Sequence, residues 1–320
     1  KTIEGIKIFI DKYKSQDDFI LNVFGNKTDI ETKLKKFNIF SNHINIIHSE
    51  KVVSDEETPM TAVKNSKNTS MWNSVKAQIE GGADISLSAG NTGVLLVISR
   101  MILKTINGVS KPALAGLWPN MNGMNIVLDL GANIECDEKN LIEFSEMGSA
   151  LHKSLFPKEK TKVALLNVGS EEIKGTEIIK KAHSKLKEIS KNENFEFDGY
   201  IEGNKITEGK SNVIVTDGFT GNIALKTAEG TSNFIISELK KALTSSIIGK
   251  LSSLINFSNL KSFKNKLDPR LYNGAILLGL SKPVIKSHGS TDAIGFANSL
   301  KVCEQTIRGN LINQIKNNIK

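Results

Sequence analysis

The sequence is poor in cysteine, arginine and aromatic side chains and has no long apolar run, and each shortage removes a class of function. Its 320 residues hold two cysteines, Cys136 and Cys303. Neither lies in a CxxC or at metal-ligand spacing from a histidine, which argues against a disulfide framework and a zinc site and leaves both as small buried hydrophobes. Apolar runs stop at lengths such as Ala275 to Leu278, far short of the roughly 18 residues of a membrane-spanning helix. The first residues lack the order of a secretory signal, so a cytoplasmic protein is expected. Aromatic content is 6%, and the net charge of +8 is almost wholly lysine, with arginine at positions 100, 270 and 308 only. Abundant Lys, Asn and Ile share AT-rich codons, and nucleic-acid modules lean on arginine and interleaved aromatics, so no nucleic-acid partner is expected.

Several familiar motifs are also absent. No GxGxxG follows a strand, and Lys174-Gly175-Thr176 reverses the Gly-Lys order of a phosphate-binding P-loop. There is no GxSxG elbow and no HExxH pair.

What remains, with 39% apolar residues, is enough for one large α/β domain or two lobes. Short, β-branched, nearly continuous apolar runs predict strands at 19–24, 44–47, 83–87, 125–128, 163–167, 195–201, 213–216 and 283–285. Helical spacing predicts helices at 27–37, 70–81, 92–105, 139–156, 173–190 and 221–248, and Ile3, Ile6, Phe9 and Ile10 open the chain in a helical pattern. The alternation implies a parallel, doubly wound sheet. Residues 231–267 break it: apolar side chains at three- and four-residue steps are punctuated by Lys240, Lys241, Lys250, Lys261, Lys264 and Lys266. Such a helical projection packs on the sheet or a second subunit, or lies on an anionic membrane surface. Ile248 and Leu251, beside Lys250, are the expected inserting pair.

Four glycine-bearing polar segments each follow a strand: Ser88 to Gly93, Asp129 to Asn133, Asn167 to Gly175 and Asp217 to Asn222. Glycines let backbone approach a ligand and helix N-termini offer N–H groups to an anion, so the set is expected to form one active-site rim. Lys174 is expected in the first turn of a helix, where lysine is out of place electrostatically; facing inward it makes a phosphate site with the N-terminal N–H groups, facing outward it is a solvated surface lysine. Asp217 can close a strand-to-helix turn and Asn222 can cap the helix. Asn91, Asn133 and Asn222 recur in equivalent places, as neutral donors to a carbonyl or phosphate oxygen. His288, beside Gly289, Ser290 and Asp292 in a strand-end loop, can act as acid, base or anion ligand.

At these residues, and at Asp217 to Gly230, Gly274 to Leu280 and His288 to Asp292, the chain resembles the PlsX family of bacterial phosphate acyltransferases over essentially its whole length. The resemblance implies a Rossmann-like α/β/α sandwich akin to the isocitrate and isopropylmalate dehydrogenases. It also implies a homodimer peripherally associated with the cytoplasmic membrane, and no cofactor or metal. Acyl phosphate would be made from acyl-acyl carrier protein and orthophosphate, for phospholipid synthesis by a membrane glycerol-3-phosphate acyltransferase. The family opens with a strand and an Asp-Ala-Met-Gly-Gly-Asp loop that would precede Lys1, so the chain is expected to begin downstream of them. A usual basic pair is reduced to Lys64-Asn65-Ser66-Lys67, and a usual Arg-Asp pair is Asn204-Lys205.

The expected mechanism is direct attack of phosphate on the thioester, without a covalent acyl-enzyme. Lys174, Asn222 and His288 are the candidate catalytic groups. Ser88, Asn91, Thr92, Asp129, Asn133, Gly169, Asp217, Gly218, Gly289 and Ser290 are the candidate phosphate and thioester contacts. The rivals are a metal- and NAD-dependent decarboxylating dehydrogenase on the same fold and a non-catalytic membrane-associated scaffold.

Overall fold

The computed structural model describes residues 1–13, 18–54, 57–191 and 195–319. In chain order the elements are α1 (Thr2–Tyr13), β1 (Leu21–Gly25), α2 (Lys27–Lys36), β2 (Ile44–His48), α3 (Pro59–Asn65), α4 (Ser70–Lys76), β3 (Ser86–Ser88) and α5 (Thr92–Leu103). Then follow β4 (Ala113–Pro119), β5 (Met124–Leu128), α6 (Glu138–Leu155), β6 (Lys162–Asn167), α7 (Glu177–Ile189), β7 (Glu196–Glu202), β8 (Val213–Val215) and α8 (Gly218–Thr244). The chain ends with α9 (Ile247–Ile255), α10 (Phe257–Leu267), β9 (Ala275–Leu278), β10 (Val284–Lys286), α11 (Ala293–Arg308) and α12 (Leu311–Asn318).

Eight strands form one sheet in the order β3-β10-β9-β4-β5-β8-β6-β7, and β1 and β2 pair separately in parallel. Helices cover both faces, and the strand sequences show why. Successive side chains of a strand point to opposite faces: Ile126 and Leu128 enter one core cluster and Val127 the other, as Val163 and Leu165 do against Ala164, and Val213 and Val215 against Ile214. One face is closed by Phe144, Met147 and Leu151 of α6 with Ala182 and Leu186 of α7, the other by Val94, Leu95 and Ile98 of α5. Each of these Val, Leu, Ile, Phe and Met side chains contributes about 1.5–3 kcal/mol of burial. A third cluster joins Ile3, Ile6, Phe9 and Ile10 of α1 to Phe296 and Leu300 of α11.

The α/β/α layering is the expected one, but the sheet is mixed rather than parallel. Strands β4 and β9, neither of them expected as a strand, enter its middle and are antiparallel to their neighbours: β10 to β9, β9 to β4 and β4 to β5. These three reversals leave β3 and β10 running opposite to β5, β8, β6 and β7, which are mutually parallel.

Helices α9 and α10 have no buried residue, and α8 buries only Gly218 and Gly221. The 231–267 stretch is therefore three helices, broken where Ser246 caps α9 through Gly249 N–H and where Asn256 separates α9 from α10. The return leg is pinned: Arg270 donates to Asp268 at 2.8 Å and to Asp292, the N-cap of α11, at 2.6 Å.

Candidate active site

The β5–α6 turn is organised by Asp129. Its carboxylate is fully buried and accepts from the N–H groups of Leu114, Gly131 and Ala132 on one oxygen, and from Asn133 N–H and the Asn133 carboxamide, both at 2.7 Å, on the other. Burial pushes its pKa above the ordinary carboxylate value, and these hydrogen bonds oppose that rise. Asp129 was expected to face a ligand; with both oxygens engaged and no exposed surface, it holds the loop instead. The Asn133 carboxamide also donates to Pro112 O, and Asn133 O accepts from Gly218 N–H at 2.7 Å.

That last bond docks the N-terminus of α8 on the loop, and only glycine permits the approach. A Cβ on Gly218 would stand 2.5 Å from Asn133 O, and one on Gly221 would overlap Asp129 O. Asp217 caps α8, accepting from Thr220 N–H and Thr220 Oγ1 at 2.8 Å. Asn222, expected to cap this helix, is instead its fifth residue because Asp217 takes the cap; it is exposed and sits against Gly131. Asp129, Asn133, Asp217, Gly218 and Asn222 are thus one contiguous group.

Ser88, Gly289, Ser290 and His288 form a second group, at the ends of the parallel pair β3 and β10. Ser287 N–H donates to Ser88 O, and Ser290 N–H and Oγ both contact His288 Nδ1. Asn91 caps α5, accepting from Val94 N–H and donating to Glu57 O, with Thr92 the first helical residue. Because β3 and β10 run opposite to β5 and β8, the segments do not share one row of strand ends; α8 runs between the two groups instead. Its Lys226, paired with Glu229 at 2.7 Å, acts electrostatically on His288. Although His288 is exposed, partial desolvation, then Lys226, lowers its pKa from the ordinary value, which favours the uncharged ring.

Lys174 stands in neither group. The helix expected at 173–190 starts at Glu177 with Thr176 as its cap, so Lys174 lies in the loop before it, half exposed and paired with Glu171 at 3.2 Å. A Cβ on Gly169 would stand 2.6 Å from Lys174 Cδ, so glycine there lets the lysine stem fold over the loop. Asn167 ties the loop together by donating to Gly169 O and Lys174 O, each at 3.1 Å.

Between this loop and the α8 cap opens a cleft of about 840 Å³, lined by Asn167, Gly175, Thr176, Asp217 and Thr220 among others. Lys111, which donates to Glu135 O at 3.1 Å, and Cys136 also line it. Burial, then the nearby Asp129, pushes the Cys136 thiol up to about 11, which leaves little nucleophilic thiolate. Cys303 is buried and its thiol is pushed up by burial as well. Sequence reasoning did not mark Lys111, because it precedes the unrecognised β4; Lys226 lay inside a quoted segment, but its proximity to His288 depends on the reversed strands.

The family model for fatty acid synthesis proteins matches residues 3–314. The chain belongs to that family. Phosphate acyltransferase of Pelagibacter ubique is 57% identical over 319 residues, covering 100% of this chain and 94% of that protein. Among solved structures, a phosphotransacetylase from Streptococcus pyogenes aligns with TM-score 0.64 at 17% identity, covering 97% of this chain and 91% of the other. A 4-hydroxythreonine-4-phosphate dehydrogenase from Klebsiella pneumoniae aligns with TM-score 0.50 at 14% identity, covering 90% and 88%. At such identities the two structures establish the shared fold alone, which hosts both transferases and dehydrogenases.

Proposed function

We propose that the chain is an acyltransferase that moves the acyl group of an acyl-acyl carrier protein thioester to orthophosphate, supplying acyl phosphate for phospholipid synthesis. The observation that carries this reading is the 57% identity, over its whole length, to a protein named phosphate acyltransferase. A phosphate oxygen forms the new C–O bond to the carbonyl carbon, the C–S bond breaks, and the sulfur leaves with its electron pair as the carrier thiolate. A thiol of pKa about 8.5 is a good enough leaving group to need little acid assistance. The protein's work is then to position phosphate and stabilise the oxyanion.

In this reading Lys174 and the N–H groups of the Gly169 loop attract phosphate. Gly218 N–H is spent on Asn133 O, so the α8 terminus contributes through its dipole and the exposed Asn222 rather than through that donor. His288, with Ser290 and Gly289, assists from the second group across α8, and Ser88, Asn91 and Thr92 shape its wall. The chain works as a homodimer beside an anionic membrane, where a glycerol-3-phosphate acyltransferase takes the product. In support of this, Ile248 and Leu251 are 80% and 56% exposed on α9, and no residue of α9 or α10 is buried.

The test is to supply acyl-carrier thioester with and without phosphate and trap acyl phosphate as its hydroxamate. Product that appears only with phosphate supports the reading. Thioester hydrolysis to free acid at the same rate without phosphate would refute it.

A further inference from the structure

The cleft at the three strand ends has a wall made in large part of apolar side chains, beside polar residues that include Lys111, Glu135, Asn167 and Thr220. It lies where β5, β6 and β8 turn into α6, α7 and α8, and each of these helices begins with a polar cap that is already satisfied. Asp137 accepts from Asn140 N–H at 2.8 Å, Thr176 from Ile179 N–H at 3.3 Å and Asp217 from Thr220 N–H at 2.8 Å. With these oxygens turned to their own helices, apolar side chains face the void. Leu141, Leu165 and Val215 line its inner part and are 2%, 0% and 0% exposed. Ile134, Ile178 and Ile223, one from each strand-to-helix connection or the helix after it, line it nearer solvent and are 62%, 40% and 50% exposed. Exposed isoleucines gathered around a concavity mark a binding groove, and about 840 Å³ falls within the roughly 300–1,000 Å³ of small-molecule sites.

We propose that this cleft holds the acyl chain of the thioester, and that Ile134, Ile178 and Ile223 set which chain lengths the enzyme uses. The proposal rests on the acyl-transfer reading, because the acyl chain is the one apolar group that reaction brings to the Asp217 and Thr220 side of α8. Closing apolar contacts on a chain strengthens binding about fourfold per methylene, so a wall of branched side chains discriminates by length without any polar contact. Lys111, on the same cleft, donates to the backbone Glu135 O at 3.1 Å.

The experiment compares Ile178→Trp and Ile223→Trp with the parent, using butanoyl-, dodecanoyl- and hexadecanoyl-carrier thioesters. Each indole occupies space the chain would fill, so the ratio of hexadecanoyl to butanoyl kcat/KM should fall by about tenfold or more, while the KM for phosphate moves by less than about twofold. A second readout needs no turnover: a hexadecyl thioether of pantetheine should slow alkylation of Cys136, which lines the cleft, by N-ethylmaleimide at mildly alkaline pH, with the buried Cys303 as internal control. An unchanged length ratio in both folded variants, together with unshielded Cys136, overturns the proposal even if acyl phosphate is made. Shielded Cys136 in a protein that makes no acyl phosphate from any chain keeps the chain site and overturns the reaction. A uniform loss accompanied by a change from dimer to monomer in sedimentation assigns the isoleucines to a contact between copies and overturns the proposal.

Discussion

At the scale of single residues, Asp129 departs from the part its sequence context suggested, whereas Lys174 keeps its proposed one. Asp129 looks like a ligand-facing acid in a glycine loop, yet it is the buried acceptor on which that loop is wound. Replacing it by alanine strands several N–H donors, each worth about 1–3 kcal/mol when left unpaired, so Asp129→Ala should lose about 3 kcal/mol or more of stability in denaturant unfolding. A loss below about 1 kcal/mol would mean that the loop holds without it. Lys174 keeps its exposed cation, paired with Glu171 on the surface, where such pairs contribute little to stability. Lys174→Met should therefore leave the unfolding midpoint close to the parent's and weaken phosphate use by about 1.5–3 kcal/mol, roughly 10- to 150-fold. An unaltered phosphate dependence would remove Lys174 from the site. The glycines were legible because turn chemistry is local, and Gly218 and Gly221 do sit where a Cβ would collide. The acceptor role of Asp129 was not, because its first partner, Leu114, lies in a strand that the sequence does not announce.

At the scale of elements, strands buried on both faces were readable from their unbroken apolar runs, whereas β4 and β9 were not. Strand β4 reads ALAGLWP, with small residues, a glycine and a proline, and β9 is four residues long; neither stands out by β-branching. Their omission hid the antiparallel centre of the sheet and hence the split of the motifs into two groups. Helices α11 and α12 were also passed over, although Phe296, Val302, Leu311 and Ile315 are core residues. The 231–267 pattern was legible as helix because its steps of three and four are local, and its two breaks were not foreseen. This hairpin-like excursion leaves the core beyond Ala228, after Ala224, Leu225 and Ala228 have packed on it, and is pinned again at the Arg270 ion pairs, so its tip can change without disturbing the sheet. Ile248→Asp with Leu251→Asp should abolish sedimentation with anionic vesicles, since apolar insertion and about 1 kcal/mol per nearby lysine are both spent at that tip, and acyl phosphate synthesis in solution should persist. Loss of the dimer in the double variant, with no vesicle binding by the parent, would make the stripe a subunit contact.

At the scale of the whole molecule, the fold brings the Lys174 loop, a docked helix terminus and a largely apolar cleft together around α8, with no activated nucleophile among the described side chains that line the cleft. Cys136 is the one thiol there, and burial holds it protonated. The central claim is that phosphate attacks the thioester directly, and isotope exchange tests it most directly. The enzyme is incubated with acyl-carrier thioester and labelled free carrier protein, first without phosphate and then with it. Direct attack predicts no label in the thioester until phosphate is added, and the same behaviour in a variant with Cys136→Ser and Cys303→Ser. Label entering the thioester without phosphate, with an acyl group recovered on the protein, would contradict the account.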